Sequence, residues 1–277
     1  MSPRGSNIAL PPLLVLSSLL VVGAALPVPG DDPGVSLPPS QSAPPDTLHL
    51  EIGSPEVDGR VFPVHRARNR VYVDGGTTPV TTWTNELVLG DSAGRPVMRW
   101  ITRGEQLAAG GATWELLQTY DAHTLEPLTY SLTTGAGAET RLRFEGNRVV
   151  GTRRASEDAA VEQVDRVLDR RGFFAGASDL IPMAVGLRAG TVMTAPVWSP
   201  GMETPEVRVF TVLDRETVEV EGARVLAWKV EERLQSTGRL LATWYLTDRS
   251  PYMVLGETVL ADGRVRRITG VSLDDSR

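Results

Sequence analysis

The group most suggestive of bond-breaking chemistry is Gly90-Asp91-Ser92-Ala93-Gly94, which fits the G-x-S-x-G pattern of serine hydrolases. In those enzymes the serine sits on a strained strand-to-helix elbow. An acid and a histidine follow later in the chain, and a Gly-rich segment on an earlier strand supplies oxyanion donors. Here Arg95-Pro96-Val97-Met98-Arg99-Trp100 alternates like a strand, so Asp91 to Gly94 reads as a hairpin turn. His123 is the one histidine downstream, and no Gly-rich oxyanion segment precedes the motif. A hydrolase acting through Ser92 stays open as the enzymatic alternative; no other catalytic group is indicated.

The remaining reactive residue types are scattered. His49 and Glu51 face the same way on an expected strand, and Asp121 and His123 flank a turn, but neither pair has the ligand spacing of a metal site. The histidines therefore read as surface residues, and neither metal nor cofactor is implied. The absence of cysteine excludes thiol catalysis, disulfides, Cys-ligated metal and a lipid-attachment cysteine. Glu231 and Glu232 are strand neighbours that point to opposite faces, so their spacing makes no carboxylate dyad. Asp31-Asp32 and Asp274-Asp275 form no better pair. Gly104, Gly110, Gly111, Gly135 and Gly137 read as β turns without the strand-to-helix context of a phosphate cradle. The pairs Arg153-Arg154, Arg170-Arg171 and Arg266-Arg267 read as solvated, charge-protected edges.

The amino end bears on where the chain works. Arg4, the apolar residues 8–26 and the small residues Gly23, Ala24 and Ala25 form the pattern of a secretory leader over 1–25. An uncleaved anchor competes with it, because the apolar stretch approaches the roughly 20 residues that span a bilayer. Pro11, Pro12 and Gly23 weaken it as a spanning helix. Residues 26–45 are rich in proline with no apolar period and read as an extended, unfolded linker. Residues 46–277 follow as a β domain. Arg4 is the only charged residue before the expected cut, so its removal takes the formal net charge from −6 to −7. That acidity argues against nucleic acid or anionic membrane as partner, and no stable membrane span remains after cleavage.

Within 46–277, runs rich in Val, Thr, Trp, Leu and Tyr separated by glycine-bearing turns predict strands over 82–89, 96–103, 112–120, 127–133, 139–144 and 148–155. A second group covers 207–213, 217–220, 224–232, 239–246, 253–260 and 264–271. Tight links such as Glu221-Gly222 and Ser236-Thr237-Gly238 favour antiparallel neighbours. Alternation places Trp114 with Leu116, Leu142 with Phe144, and Leu226 with Trp228 and Val230 on inner faces, and Trp244 and Leu246 continue the row. Between Phe173 and Gly190 the β pattern breaks. Ser178-Asp179 reads as a cap for a short helix of two or three turns, apolar on nearly every face and therefore buried. Ala112-Thr113-Trp114 recurs as Ala242-Thr243-Trp244, too short an identity to define a repeat.

Tyr120-Asp121 followed by Thr124-Leu125-Glu126-Pro127-Leu128, the Phe173 to Leu187 segment, Leu187-Arg188-Ala189-Gly190, and Ala242-Thr243-Trp244-Tyr245-Leu246 together resemble exported bacterial proteins grouped as domain of unknown function 3108. The resemblance covers 82–271. That group is similar in turn to the half-barrel lipoprotein carriers LolA and LolB. It implies a mainly β fold, a single strongly curved antiparallel sheet with one short helix across its concave face, and it carries no assigned reaction.

The expected role is a non-enzymatic periplasmic or extracellular envelope protein that holds a lipid or other apolar ligand in the half-barrel. The expected lining is Trp114, Leu116, Phe144, Phe173, Phe174, Leu180, Met183, Trp228, Trp244 and Leu246. Met183 is the adaptable gap-filler in that set. A structural or protein-partner role with a fully packed interior, the partner being another envelope protein, is the other alternative.

Intact-mass measurement of protein exported by its own host is expected to show a chain beginning at Leu26 or within a few residues of it. An unprocessed product starting at Met1 and retained in the inner membrane would sink the leader and favour the anchor.

Overall fold

Alternating apolar and charged residues bounded by turns fold here as strands almost throughout. In a computed structural model, which describes residues 47–260 and 262–273, sixteen strands belong to one sheet. The leader and linker expected at 1–25 and 26–45 lie outside the described residues. In chain order the first strands are β1 (Leu48–His49), β2 (His65–Val73), β3 (Thr81–Ser92), β4 (Arg95–Gln106), β5 (Ala112–Asp121) and β6 (Pro127–Thr134). Next come β7 (Glu139–Glu145), β8 (Arg148–Arg154), β9 (Glu162–Val167), β10 (Phe173–Phe174) and the helix α1 (Leu180–Val185). The chain then forms β11 (Val192–Trp198), β12 (Glu206–Val220), β13 (Ala223–Leu234), β14 (Leu240–Leu246), β15 (Met253–Val259) and β16 (Val265–Ser272).

The strand order is β1-β11-β12-β13-β14-β15-β16-β2-β3-β4-β5-β6-β7-β8-β9, with β10 also on β11. Apart from the two-residue strands β1 and β10, which pair parallel with β11, every pairing is antiparallel. The sheet curls without closing, so the half-barrel implied by the family resemblance is the fold of the protein. Two-residue turns set the register: Ala93 and Gly94 between β3 and β4, and Glu221 and Gly222 between β12 and β13, all have positive φ. That handedness matches the twist of the strands they join.

β2 makes the two strand groups one sheet. Residues 65–73, which carried no assigned strand in the sequence reading, pair with β16 on one side and β3 on the other. Three further expectations are corrected. The runs at 207–213 and 217–220 are one fifteen-residue strand, β12, bent by an irregularity between Val212 and Arg215. Gly104 lies inside β4 rather than in a turn. The helix is six residues long rather than two or three turns, and Asp179 is itself in helical conformation with no side-chain cap bond.

α1 is buried through Leu180, Ile181, Pro182, Met183 and Ala184. It ends at Gly186, whose N–H donates to the carbonyls of Pro182 and Met183 and whose φ of 99° turns the following chain out of the helix. The segment before β2 straps this end of the half-barrel. Asp58 N–H donates to the Ala184 carbonyl at 3.0 Å, and Gly59 N–H donates to the His123 carbonyl at 2.8 Å. A Cβ at Gly59 would overlap the Ala122 carbonyl, so the crossing requires glycine. Beyond it Phe62 is fully buried and meets the edge of Tyr252 at 5.3 Å between ring centres. Among the described residues no helix is long and apolar enough to cross a membrane.

Phe62→Ala is expected to cost about 3–5 kcal/mol in urea denaturation, as for a fully buried aromatic. A loss below about 1 kcal/mol would show that the strap is not part of the core.

Candidate functional site

The inner faces of β3, β4, β5 and β6 meet those of β14, β15 and β16 around a partly open cavity of about 160 Å³. The turn at Ala175, Gly176, Ser178 and Asp179, just ahead of α1, forms part of its wall. Trp83, Trp100, Trp114 and Trp244, four of the chain's six tryptophans, line it together with Leu116, Leu132, Met253 and Ile268. Its volume is close to that of engineered apolar cavities, about 150 Å³, that hold benzene. A second space of about 430 Å³ shares Tyr130 and Leu132 with it. This space lies at the seam where β9 faces Trp198, Pro200 and Gly201. Arg166 Nη1 crosses the seam to the Met202 carbonyl at 2.8 Å, and the Phe144 ring meets Trp198 edge-on at 5.6 Å.

The two Ala-Thr-Trp segments place their tryptophans alike. Trp114 is paired across strands with Gly104, and Trp244 with Gly256. A Cβ on Gly104 would collide with the Trp114 indole, and one on Gly256 would come within 2.8 Å of the Trp244 ring. Each indole therefore lies over a bare stretch of backbone, where only glycine leaves room. The recurrence is a shared packing device rather than a domain repeat.

Beneath the aromatic wall lies a charged cluster. Arg208 Nη1 donates to Glu232 Oε1, and both side chains are almost wholly buried. Glu232 Oε2 also accepts from Trp244 Nε1 at 2.8 Å and from Ser178 Oγ at 3.2 Å. Alternation along β13 does send Glu231 and Glu232 to opposite faces, with Glu231 bound to Arg233 at 2.8 Å. Glu232 shares the parity of Val230, read as an inner position, and is buried with it, whereas Leu226, read into the same inner row, is exposed. Arg266 is likewise a wall residue rather than part of a solvated edge, and its Nε donates to Thr258 Oγ1 at 2.9 Å. Burial lowers its pKa to about 10, so it stays cationic at neutral pH. Asp179 keeps some exposure through the cavity, yet desolvation, with the nearby Glu232 charge adding to it, pushes its carboxyl up to about 7.

The structure distributes the residues singled out from sequence over several places. Trp114, Leu116 and Trp244 are on the cavity wall. Phe173, Phe174 and Leu180 surround a separate void of about 10 Å³ beside Tyr120. Phe144 packs at the seam, and Met183 lies in the closed core with α1. Leu246 is fully buried opposite Trp228 across strands, and the Arg215 guanidinium lies 4.5 Å from the Trp228 ring centre. Sequence reasoning missed Trp83 and Trp100. The signal was present, because Trp83 and Asn85 share the parity of buried Leu87, and Trp100 that of buried Met98.

Ser92 is the exposed last residue of β3, and Asp91 Oδ1 accepts the Gly94 N–H at 2.8 Å across the turn that follows, so the serine leads into a hairpin and not into a strand-to-helix elbow. Asp121 organises a turn. Its burial opposes ionisation, but bonds from Arg95, Thr124 and His123 outweigh it and hold the carboxyl at about 2. His49 and His123 are exposed as expected, whereas His65 is buried between Trp100 and Tyr252.

The chain belongs to a family of proteins of unknown function, DUF3108, matched over residues 69–266. Among solved structures it is similar to a β-barrel-like protein of domain of unknown function DUF1849 from Brucella abortus. That likeness has 14% identity and a TM-score of 0.42, and covers 75% of this chain and 95% of that one. It is also similar to the hypothetical lipoprotein YmcC from Escherichia coli, at 12% identity and a TM-score of 0.31, over 76% of this chain and 85% of that one. No curated protein matches the chain.

A carboxyl raised from its ordinary 3.8 to about 7 favours folding while it is protonated. Its contribution is full below about pH 4 and is lost as pH rises through 7. Asp179→Asn, which cannot ionise, is expected to gain about 1–3 kcal/mol on the wild type between pH 4 and pH 8. That range discounts the full shift for cavity water. Parallel pH profiles in urea denaturation would show that Asp179 ionises freely.

Proposed function

We propose that this is a non-enzymatic, exported envelope protein that holds an apolar ligand in the concave face of its half-barrel. The observation that carries the reading is the cavity itself, where four indoles stand around a space left unfilled. A close-packed interior leaves few voids larger than a water molecule, whereas ligand sites are concave and mostly apolar with a few placed polar groups. The leader expected at 1–25 supports export. The size of the space limits the ligand. About 160 Å³ takes a ring or a short acyl segment, and a longer chain would continue past Tyr130 and Leu132 into the seam.

A hydrolytic role for Ser92 has no support in its surroundings, which are those of an exposed hairpin. The neighbouring reading, a structural protein with no ligand, is separated from this one by measurement. Native mass spectrometry of the mature protein with organic extraction is expected to release a bound lipid-like molecule. A fluorescent fatty acid analogue is expected to bind the stripped protein and to bind at least tenfold more weakly to Leu116→Trp, which fills the wall. Absence of both extracted ligand and analogue binding would leave the structural role.

A further inference from the structure

The acids of the cavity wall are Glu232 and Asp179, and the chain serves them differently. Glu232 is engaged through both oxygens, by Arg208 on one and by Trp244 and Ser178 on the other. Among the described residues Asp179 makes no ion pair and no hydrogen bond to another side chain. It is half-buried in the wall. The wall atoms that are sealed off without a partner belong to Trp114, Gln118 and Arg208, and none belongs to Asp179. Its carboxyl therefore opens onto the cavity, where a ligand can reach it.

Buried charges in proteins are paired, and a carboxylate in apolar surroundings without a counter-ion is costly. Desolvation is the main force against the Asp179 charge and Glu232 adds to it, while the N–H groups of Asp179 itself and Leu180 favour ionisation. The element the chain does not supply is a cation. Arg208 is committed to Glu232, and Arg266 donates through Nε to Thr258; neither is bonded to Asp179. The walls suit a cation as well, because an indole face attracts an ammonium group within about 6 Å of its centre. Four indoles line this space, and the guanidinium stacked on an indole elsewhere, Arg215 on Trp228, lies outside it. Acid and indoles share about 160 Å³, so the nitrogen sits directly on the hydrocarbon with no phosphate between them.

We propose that the ligand of this cavity is an apolar amine, which sets its ammonium group against the Asp179 carboxylate and lays its hydrocarbon against the tryptophans. The proposal rests on the cavity being a ligand site and names the chemical class it takes. An amine binds the ionised acid, so apparent affinity follows the fraction of Asp179 that is ionised. The other ionisable groups near it are Glu232 on β13, Arg208 on β12, Arg266 on β16, Tyr130 on β6 and Tyr120 on β5. Burial raises both tyrosines, which stay neutral at pH 8 and below.

Calorimetric titration of the mature protein with octylammonium, octanol, octanoate and octylphosphocholine tests it. At pH 8 octylammonium is expected to bind at least about tenfold more tightly than octanol, and octanoate no more tightly than octanol. From pH 8 to pH 6 octylammonium is expected to weaken about tenfold, because a carboxyl at about 7 goes from about nine-tenths to about one-tenth ionised, while octanol is unchanged. Asp179→Asn keeps the shape of the side chain and removes its charge, and is expected to bind amine and alcohol alike at both pH values. Equal affinity of the wild type for amine and alcohol, or a preference for the amine that survives in Asp179→Asn, would overturn the proposal while leaving an apolar ligand site in place. Tighter binding of octylphosphocholine than of octylammonium would overturn the simple amine in favour of a zwitterionic headgroup. No binding of any octyl compound would overturn both this proposal and the ligand-binding reading. Should Asp179→Asn not fold, an octylammonium affinity in the wild type that does not change with pH rejects the proposal by itself.

Discussion

The Arg208–Glu232 ion pair is the constraint around which the interior is arranged. It joins β12 to β13, and through the second carboxylate oxygen it also holds Ser178 ahead of α1 and the indole N–H of Trp244 on β14. Taking two charges out of water costs several kcal/mol per ion, and attraction offsets that only when the geometry is good and the remaining lone pairs are satisfied. Here both oxygens of Glu232 are engaged. Leaving either partner alone would cost about 3–5 kcal/mol, because an uncompensated charge would remain under the aromatic wall. The pair thus ties the helix to the sheet and fixes the orientation of one cavity-lining indole.

The openness of the fold follows from its edges. A sheet of this many strands curls through twist and through irregularities such as those at Val212/Arg215 and Glu232/Arg233. Its two edges, the two-residue β1 and the charged β9, do not pair with each other. β11 is covered by β1 and β10, and β9 carries exposed Glu162, Gln163, Asp165 and Arg166. Charge along an edge strand discourages pairing. The gap is bridged instead by Arg166 and by packing of Phe144 on Trp198, and the seam beside the central cavity results.

The strands legible in the sequence were those with strong alternation and a clear turn. β3, β4, β5, β6 and β13 fall close to their expected ranges, and the hairpin at Asp91 to Gly94 was readable from its turn chemistry. The ones that escaped had weaker patterns. β2 reads His-Arg-Ala-Arg-Asn-Arg-Val-Tyr-Val, whose inner positions include His65, Ala67 and Asn69. A buried histidine and asparagine break the apolar period by which strands are recognised. β11 is buried at nearly every position and shows no alternation. Such a run cannot be told from a buried helix by period alone.

The sequence by itself determined the class of structure and which side chains share a face, because both follow from local turn chemistry and the period-two alternation of a strand. It was enough to set Glu231 against Glu232 and to put Trp114 with Leu116. Tertiary structure alone decided which faces meet. It left Met183 and Leu246 in closed core, gathered Trp83, Trp100, Trp114 and Trp244 around one space, and placed Arg208 beside Glu232 across 24 positions of chain. Those outcomes depend on the register and curl of strands distant in sequence, and no short stretch of residues encodes them.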